Sequence, residues 1–447
     1  AAFHAGPAVI ISFLIAGVVC GAAVMCYAEF ASMIPVAGSA YTFTYTTVGE
    51  VVAWVIGWDL ILEMLMAGSV VSKYWGVYLN QFFELIGWNI NTNIAIGSFN
   101  FDLAPVIIVA FFTALLVMGT KIGARVDGAL TILKIAIVVF IVVVGFFYIK
   151  AENFTPFIPP SEPAASTDGS GVSAVMEQPL WQWATGMAPS IYGVTGIISG
   201  AALVFFAFLG FDVVATASEE TINPKKNVPL GIGVGLGLII VLYTLVAIVT
   251  TGMVSYKDLA KQSDPSLAVA FKMVGADWAA KIISLGIVIG MATVVMVLLL
   301  GLTRVVFAMS RDGLLPRGLS HTGKHGTPVR LQIIVGVVMA LIAACCNVGI
   351  LSDMVNIGTL SAFTLVAISI PIMRKKRPDL ERSFKIPGNP WVPILIALAN
   401  LWLMVNLSVL TWIRFVVWLI VGFAIYFGYG YRHARLGAGE LEVAAQE

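Results

Sequence analysis

Charged residues are scarce in this chain. They make up 11% of its 447 residues, whereas a soluble globular domain carries about 25%. The formal net charge is only +1, so the charge balance gives no indication of a nucleic-acid partner. Hydrophobic residues account for 59% of the chain instead. This composition excludes an ordinary soluble domain and indicates a protein that lies in a lipid bilayer.

Cysteine and histidine are also rare, with four of each. The cysteines are Cys20, Cys26, Cys345 and Cys346, which lie in apolar runs without the CxxC spacing of redox or zinc sites. The sequence also lacks a GxSxG motif, an HExxH motif and a Walker loop. We therefore expect neither an enzyme nor an ATP-driven pump, and no metal or organic cofactor.

Long hydrophobic runs dominate the chain. A helix needs about 20 apolar residues to cross the hydrocarbon core, and eleven runs are candidates for such a span. They cover residues 8–28, 51–81, 103–120, 126–149, 191–218, 229–252, 280–308, 329–347, 353–373, 391–408 and 412–431. The longest polar stretch, 151–190, predicts a surface loop with a short interfacial helix around Trp181 and Trp183. The sequence thus predicts an all-α membrane protein, with residues 1–447 forming one polytopic domain.

Basic residues indicate the orientation of the chain. If the C-terminus is cytoplasmic, the inner connections, their flanks and the tail hold seventeen of the twenty-five lysines and arginines. The positive-inside rule therefore predicts a cytoplasmic C-terminus. We expect the protein to lie in the plasma membrane. Eleven spans then place residue 1 outside, without a signal peptide to deliver it there. From this parity we expect one further span before residue 1.

Lys134 lies deep inside an apolar run. It stands nine residues after Arg125 and sixteen before Lys150, and a charge at such depth costs about 2.5–3.5 kcal/mol. One interpretation is a structural cation that ties helices together. The other is a group that binds a proton and couples its movement to transport.

Three acidic residues also fall within apolar runs. Asp59 and Glu63 share a helix face at i,i+4 spacing, and Glu63 is the deeper, whereas Asp59 could be a solvated helix end. Asp212 follows Gly210 in a run longer than one membrane thickness, so the helix can break there and line a cavity. The alternative is a continuous tilted helix in which Gly210 serves close packing. The pairs Gly196 with Gly200 and Gly286 with Gly290 have the spacing of helix-packing sites.

Several motifs resemble the amino acid permeases of the APC superfamily. Residues 27–41, YAEFASMIPVAGSAY, resemble the link between that family's second and third helices. Residues 205–212, FFAFLGFD, with 218–229, SEETINPKKNVP, resemble its sixth helix and the loop that follows. Further similar motifs are SRDGLLP at 310–316 and NIGTL at 356–360. GWDLILE at 57–63, together with Lys134, looks most like the cationic amino acid transporter branch in its shorter bacterial form.

This resemblance implies a LeuT-like fold of two inverted five-helix repeats plus two extra helices. The first repeat would cover about 1–150, the second about 190–373, and the extra helices about 391–431. The substrate would be held at broken first and sixth helices. The family's first helix carries a Gly-rich break that this sequence lacks, in agreement with the parity argument.

The resemblance also implies roles for individual residues. Phe206, Ala207 and Leu209 would surround an amino acid substrate, with Phe206 as a gate. Carbonyls freed at the helix break, next to Gly210 and Asp212, would bind its ammonium group.

Two further residues complete the implied site. Glu63 either recognises a cationic side chain or supports its helix, and neutral substrates remain open. Lys134 matches a lysine that stands in for a sodium ion, which implies proton coupling.

The sequence therefore predicts a proton-coupled amino acid symporter that works by alternating access in the lipid bilayer. The alternative is an exchanger or facilitator without proton coupling. A sensor or an ion channel is disfavoured, because the chain carries no signalling domain and no filter-like loop or charge ring.

Overall fold

The computed structural model describes residues 2–33, 39–88, 90, 92–96, 99–119, 124–163, 175–211, 223–262, 265–323, 327–379, 382 and 384–434. A helix overlaps each of the eleven predicted apolar runs. These helices are α1 (Val9–Met33), α2 (Glu50–Leu85), α3 (Leu103–Val117), α4 (Ala124–Phe146), α5 (Gly193–Val204), α6 (Pro224–Met253), α7 (Asp277–Arg311), α8 (Val329–Cys345), α9 (Val348–Lys376), α10 (Trp391–Val405) and α11 (Val409–Ile425).

The helices fall into two length classes. Within the described part of the chain, seven are long and apolar enough to cross a bilayer: Ala2–Phe30, Glu50–Leu85, Gly128–Phe146, Lys226–Met253, Asp277–Arg311, Val348–Lys376 and Val409–His433. The shorter apolar helices are Leu103–Val117, Gly193–Phe208, Val329–Cys345 and Trp391–Val405. The prediction of a mostly helical, multi-pass membrane protein is confirmed.

Short elements lie in the connections. Strand β1 (Asn93–Ile96) pairs antiparallel with β2 (Phe99–Asp102), and β3 (Glu162–Pro163) pairs with β4 (Ser190–Ile191). The sequence analysis missed these strands, because such short segments carry little periodicity. The helix Leu180–Thr185 confirms the short helix predicted around Trp181 and Trp183. Further short helices are Ser39–Thr47, Tyr256–Ala260 and Leu267–Met273.

The centre of the bundle is formed by α2, which packs against α7, α9, α8 and α3. In the most apolar stretch of α2, 78% of the residues are buried, and α9 reaches 72%. The corresponding value for α4 is only 11%. Because lipid covers apolar side chains as well as protein does, α4 can expose them while α2 and α9 form the interior.

An ion-pair cluster ties the end of α1 to the end of α9. The Arg374 Nε donates to Glu29 Oε1 at 2.7 Å, and its Nη2 donates to Oε2 at 2.5 Å. The backbone N–H of Ile386 donates to the same Oε2 at 2.9 Å, and Arg382 lies 3.8 Å from Oε1. Glu29 is fully buried, so this cluster provides the compensation that a buried charge requires.

Candidate functional site

Helix α5 ends in the middle of the apolar run that predicted it. Its α-helical geometry stops at Val204, and Phe205–Phe208 continue as a 3-10 turn. Leu209 is extended, with φ −74° and ψ 158°, and Gly210 has φ +113°. Because only glycine adopts such a φ readily, Gly210 ends the helix here. The predicted break is confirmed, and the alternative of a continuous helix is wrong.

The broken end is held by two neighbouring helices. The Asn356 amide on α9 donates to the Leu203 carbonyl at 3.3 Å. The Cys20 thiol on α1 donates to the Phe208 carbonyl at 3.7 Å. Both contacts satisfy carbonyls that the end of a helix leaves open. The sequence places Asn356 in a motif and Cys20 in an apolar run but predicts neither contact, because such contacts arise only when distant segments pack.

Two of the predicted site residues meet three helices at the break. Phe206 and Leu209 pack against a small apolar cluster of Ala67 on α2, Leu298 on α7 and Val355 on α9. All three cluster residues are buried, whereas Phe206 and Leu209 are partly exposed. The break therefore lies against the interior helices of the bundle, and it retains accessible surface there.

The other predicted site residues of this segment are Ala207, Gly210 and Asp212. Ala207 and Gly210 are also partly exposed and lie in the same short stretch. Asp212 falls in 212–222, outside the described residues.

Glu63 and Asp59 lie one turn apart on α2, as the i,i+4 spacing predicts. Glu63 is 2% exposed and Asp59 is 0% exposed. The interpretation of Asp59 as a solvated helix end is therefore wrong: α2 continues past it in both directions between α7 and α9. Among the described residues, neither Asp59 oxygen accepts a hydrogen bond, although Ser361 on α9 is a polar neighbour. Ala67, a member of the apolar cluster at the break, lies one further turn along α2 from Glu63.

Lys134 on α4 packs its aliphatic stem on α7. A Cβ added to Gly290 would lie 3.2 Å from Lys134 Cγ, and one added to Gly286 would clash with Ile137. The two glycines thus let α4 approach α7, which confirms their predicted packing role. Val294, one turn from Gly290, packs against the apolar cluster at the break, which includes Leu298 of the same helix. Lys134 and the apolar cluster at the break therefore contact α7 within about two turns of each other.

The second glycine pair has the same role. Gly200 faces Ser12 on α1, whose hydroxyl donates to the Ile197 carbonyl at 2.7 Å. Gly196 lies against the His4 carbonyl. Both glycines hold α5 close to the start of the chain.

The end of the helix at the break can bind a positively charged group. The C-terminal end of a helix carries partial negative charge on its carbonyls. At the break, such an end lies beside an apolar cluster and partly exposed backbone. An ammonium group and an apolar side chain are the ligand features that this combination can bind.

Comparison with known proteins agrees with these features. A sequence model of a family described as "Amino acid permease" matches residues 1–428 of this chain. The match includes every helix from α1 to α11.

Two bacterial relatives are similar over nearly the whole chain. The methylthioribose transporter of Bacillus subtilis is 41% identical over 444 residues, which cover 98% of this chain and 88% of that protein. The branched-chain amino acid permease BcaP of the same organism is 41% identical over 445 residues, covering 97% and 88%.

A plant relative is longer. The mitochondrial cationic amino acid transporter 3 of Arabidopsis thaliana is 36% identical over 385 residues, which cover 85% of this chain and 58% of that protein. All three relatives are named as permeases or transporters and none as an enzyme. The family model matches the whole helix bundle, and the broken helix lies beside the buried acidic residues of α2. The chain therefore belongs to the amino acid permease family of the APC superfamily.

Proposed function

We propose that this permease is a proton-coupled symporter that carries amino acids across the plasma membrane by alternating access. The observation that carries the proposal is the break at residues 205–210, placed against the buried turn of α2 that follows Glu63. Broken helices at mid-membrane depth are tolerated only where they line a cavity or bind a ligand.

The substrate would bind with its ammonium group at the carbonyls of the break. Phe206, Ala207, Leu209 and Gly210 would form that wall of the site, with Phe206 as the gate. The relatives named for branched-chain and for cationic amino acids leave two substrate classes to compare. Ala67, Leu298 and Val355 are apolar, which favours an apolar substrate side chain. A cationic side chain would have to reach Glu63.

The proposed architecture has two inverted five-helix repeats, with α10 and α11 as the extra helices. The C-terminus would be cytoplasmic, because Arg374, Lys375, Lys376 and Arg377 cluster at the end of α9. Asp212 would belong to the same site.

Lys134 would couple the proton. Its stem lies on Gly290 of α7, about two turns from Leu298, a member of the apolar cluster against which the break packs. A lysine that is charged in one conformation and neutral in the other would link proton binding to the opening of the site.

Uptake into proteoliposomes tests the proposal. The full-length protein is reconstituted, an inward proton gradient is imposed, and labelled leucine, alanine and arginine are offered separately. We expect accumulation above the equilibrium level, collapse of that accumulation with a protonophore, and a preference for leucine over arginine. Accumulation that survives the protonophore would contradict proton coupling, and an arginine preference would contradict the apolar substrate class.

The second candidate is an exchanger or facilitator. The observation in its favour is the packing of Lys134 on Gly290, which a purely structural cation would also show. Counterflow of preloaded amino acid that ignores the proton gradient would support this candidate.

A further inference from the structure

A groove runs between α3 and α8 on the outside of the helix bundle. Its volume is about 480 Å³. On the α3 side its floor includes Ala110 and Ala114, both exposed. On the α8 side its rim includes Ile333, Val337 and Leu341, which are 47%, 53% and 54% exposed. The two helices meet where Gly336 lies against Thr113, and the small alanines beside the large α8 side chains leave a furrow over that contact.

The groove offers almost no hydrogen-bonding group. Thr113 is the one residue with a polar side chain in its lining, and its hydroxyl donates to the Val109 carbonyl of its own helix at 2.7 Å. The backbone polar groups of α3 and α8 are used within the helices. A polar ligand would lose its hydration without compensation here, whereas a hydrocarbon chain would not.

The length of the groove matches a lipid chain. The α8 rim from Ile333 to Leu341 rises about 12 Å at 1.5 Å per residue. One leaflet contributes half of a hydrocarbon core about 30 Å thick. A single acyl chain can therefore lie along this rim without leaving its leaflet.

A positive charge stands at one end of the same stripe. Arg330 precedes Ile333, Val337 and Leu341 by three, seven and eleven residues, which places the four on one face of α8. Arg330 is exposed, and it takes part in none of the ion pairs among the described residues. A guanidinium group at a membrane surface pairs well with a phosphate.

We infer that the groove between α3 and α8 binds an anionic phospholipid. One acyl chain lies on Ala110 and Ala114 against the α8 rim, and the phosphate pairs with Arg330. The site is separate from the break at residues 205–210, so it does not depend on the proposed substrate.

Native mass spectrometry of the full-length protein tests the inference. The protein is released from detergent after addition of phosphatidylglycerol or of phosphatidylcholine with the same acyl chains. We expect about a five-fold preference for phosphatidylglycerol, the effect of one basic residue near an anionic headgroup.

Two kinds of variant separate the parts of the site. Arg330→Gln removes the charge, and we expect phosphatidylglycerol binding to fall to the phosphatidylcholine level. Ala114→Phe fills the floor, and we expect binding of both lipids to decrease. Ala110→Phe repeats the filling test at a second position, in case the first variant does not fold. Circular dichroism and size-exclusion chromatography verify folding.

Matched controls are available on the same molecule. Arg317→Gln removes an exposed arginine outside the groove, and Ala136→Phe enlarges an exposed alanine on α4. Both are expected to bind lipid as the unmodified protein does.

Three results would overturn the inference. The first is equal binding of the two lipids by the unmodified protein. The second is unchanged lipid binding by both folded filling variants. The third is a dimer that disappears in Ala114→Phe, because the groove would then be an interface between copies of this chain.

Discussion

Glu29 on α1 and Asp59 on α2 are both 0% exposed, yet their surroundings differ completely. Glu29 lies near the end of its helix and accepts hydrogen bonds from Arg374 and from the Ile386 backbone. Asp59 lies along the interior face of α2, and within the described chain its two oxygens accept none. The first carboxylate has the partners that stabilise a buried charge, and the second does not.

This difference separates structural from functional acids. A buried ion pair that is fully hydrogen-bonded fixes how segments pack. A buried polar group without such partners destabilises the fold. Such groups are found at functional sites more often than elsewhere. The Glu29 cluster at the ends of α1 and α9 thus ties these segments of the fold together. For Asp59, which lies one turn from the proposed site residue Glu63, we propose a role in transport.

Glu29→Gln should have the largest effect on stability. The substitution leaves Arg374 and Arg382, whose side chains are 20% and 6% exposed, without their counter-charge. Breaking one side of such a buried pair costs about 3–5 kcal/mol. Thermal unfolding in detergent would measure the loss.

A matched surface variant gives the scale for that measurement. Lys272 pairs with Glu84 at 2.8 Å, but the two side chains are 50% and 59% exposed. Lys272→Gln should therefore change the stability by at most about 1 kcal/mol. Equal losses in the two variants would mean that the Glu29 cluster is no more structural than a surface pair.

Phe206→Ala should weaken substrate binding without a comparable loss of stability. Burying a phenylalanine side chain is worth about 1.5–3 kcal/mol. If substrate covers the partly exposed ring, the apparent affinity should fall at least about ten-fold. The concentration dependence of uptake would measure this loss of apparent affinity. The control is Phe111→Ala, which truncates a ring that is 55% exposed on α3. An unchanged apparent affinity in Phe206→Ala would remove its gate role.

Asp59→Asn should have the smallest effect on stability. The amide keeps the shape of the side chain and carries no charge, which suits a position with no exposed surface. We expect a change within about 1 kcal/mol, because the new amide has Ser361 as a polar neighbour. The same thermal assay applies. A loss as large as that of Glu29→Gln would erase the contrast between the two carboxylates.

The sequence predicted the structural features that depend on local sequence pattern, namely the helices and the helix break. Apolar runs located α1 to α11, because the bilayer requires long hydrophobic helices. Gly210 and the excess length of its run located the break. These features need no knowledge of what packs against them.

Features that depend on distant contacts could not be predicted. Glu29 and Arg374 are 345 positions apart, and no short motif joins them. The burial of Asp59 follows from the central position of α2 between α7 and α9, whereas its position near the start of the run indicated a solvated end. The apolar cluster at the break combines α2, α7 and α9, an arrangement that pattern alone does not specify.

The pH dependence of uptake in Lys134→Met tests the central claim most directly, that an ionisable group inside the bundle couples proton movement to transport. Methionine keeps the apolar stem that packs on Gly290 and removes the ammonium group. Initial rates of amino acid uptake into proteoliposomes are measured across a pH series for the variant and the unmodified protein, at equal amounts of inserted protein. We expect the variant to insert normally and to lose the pH dependence. A variant that retains the full pH profile would contradict it and leave Lys134 a structural cation.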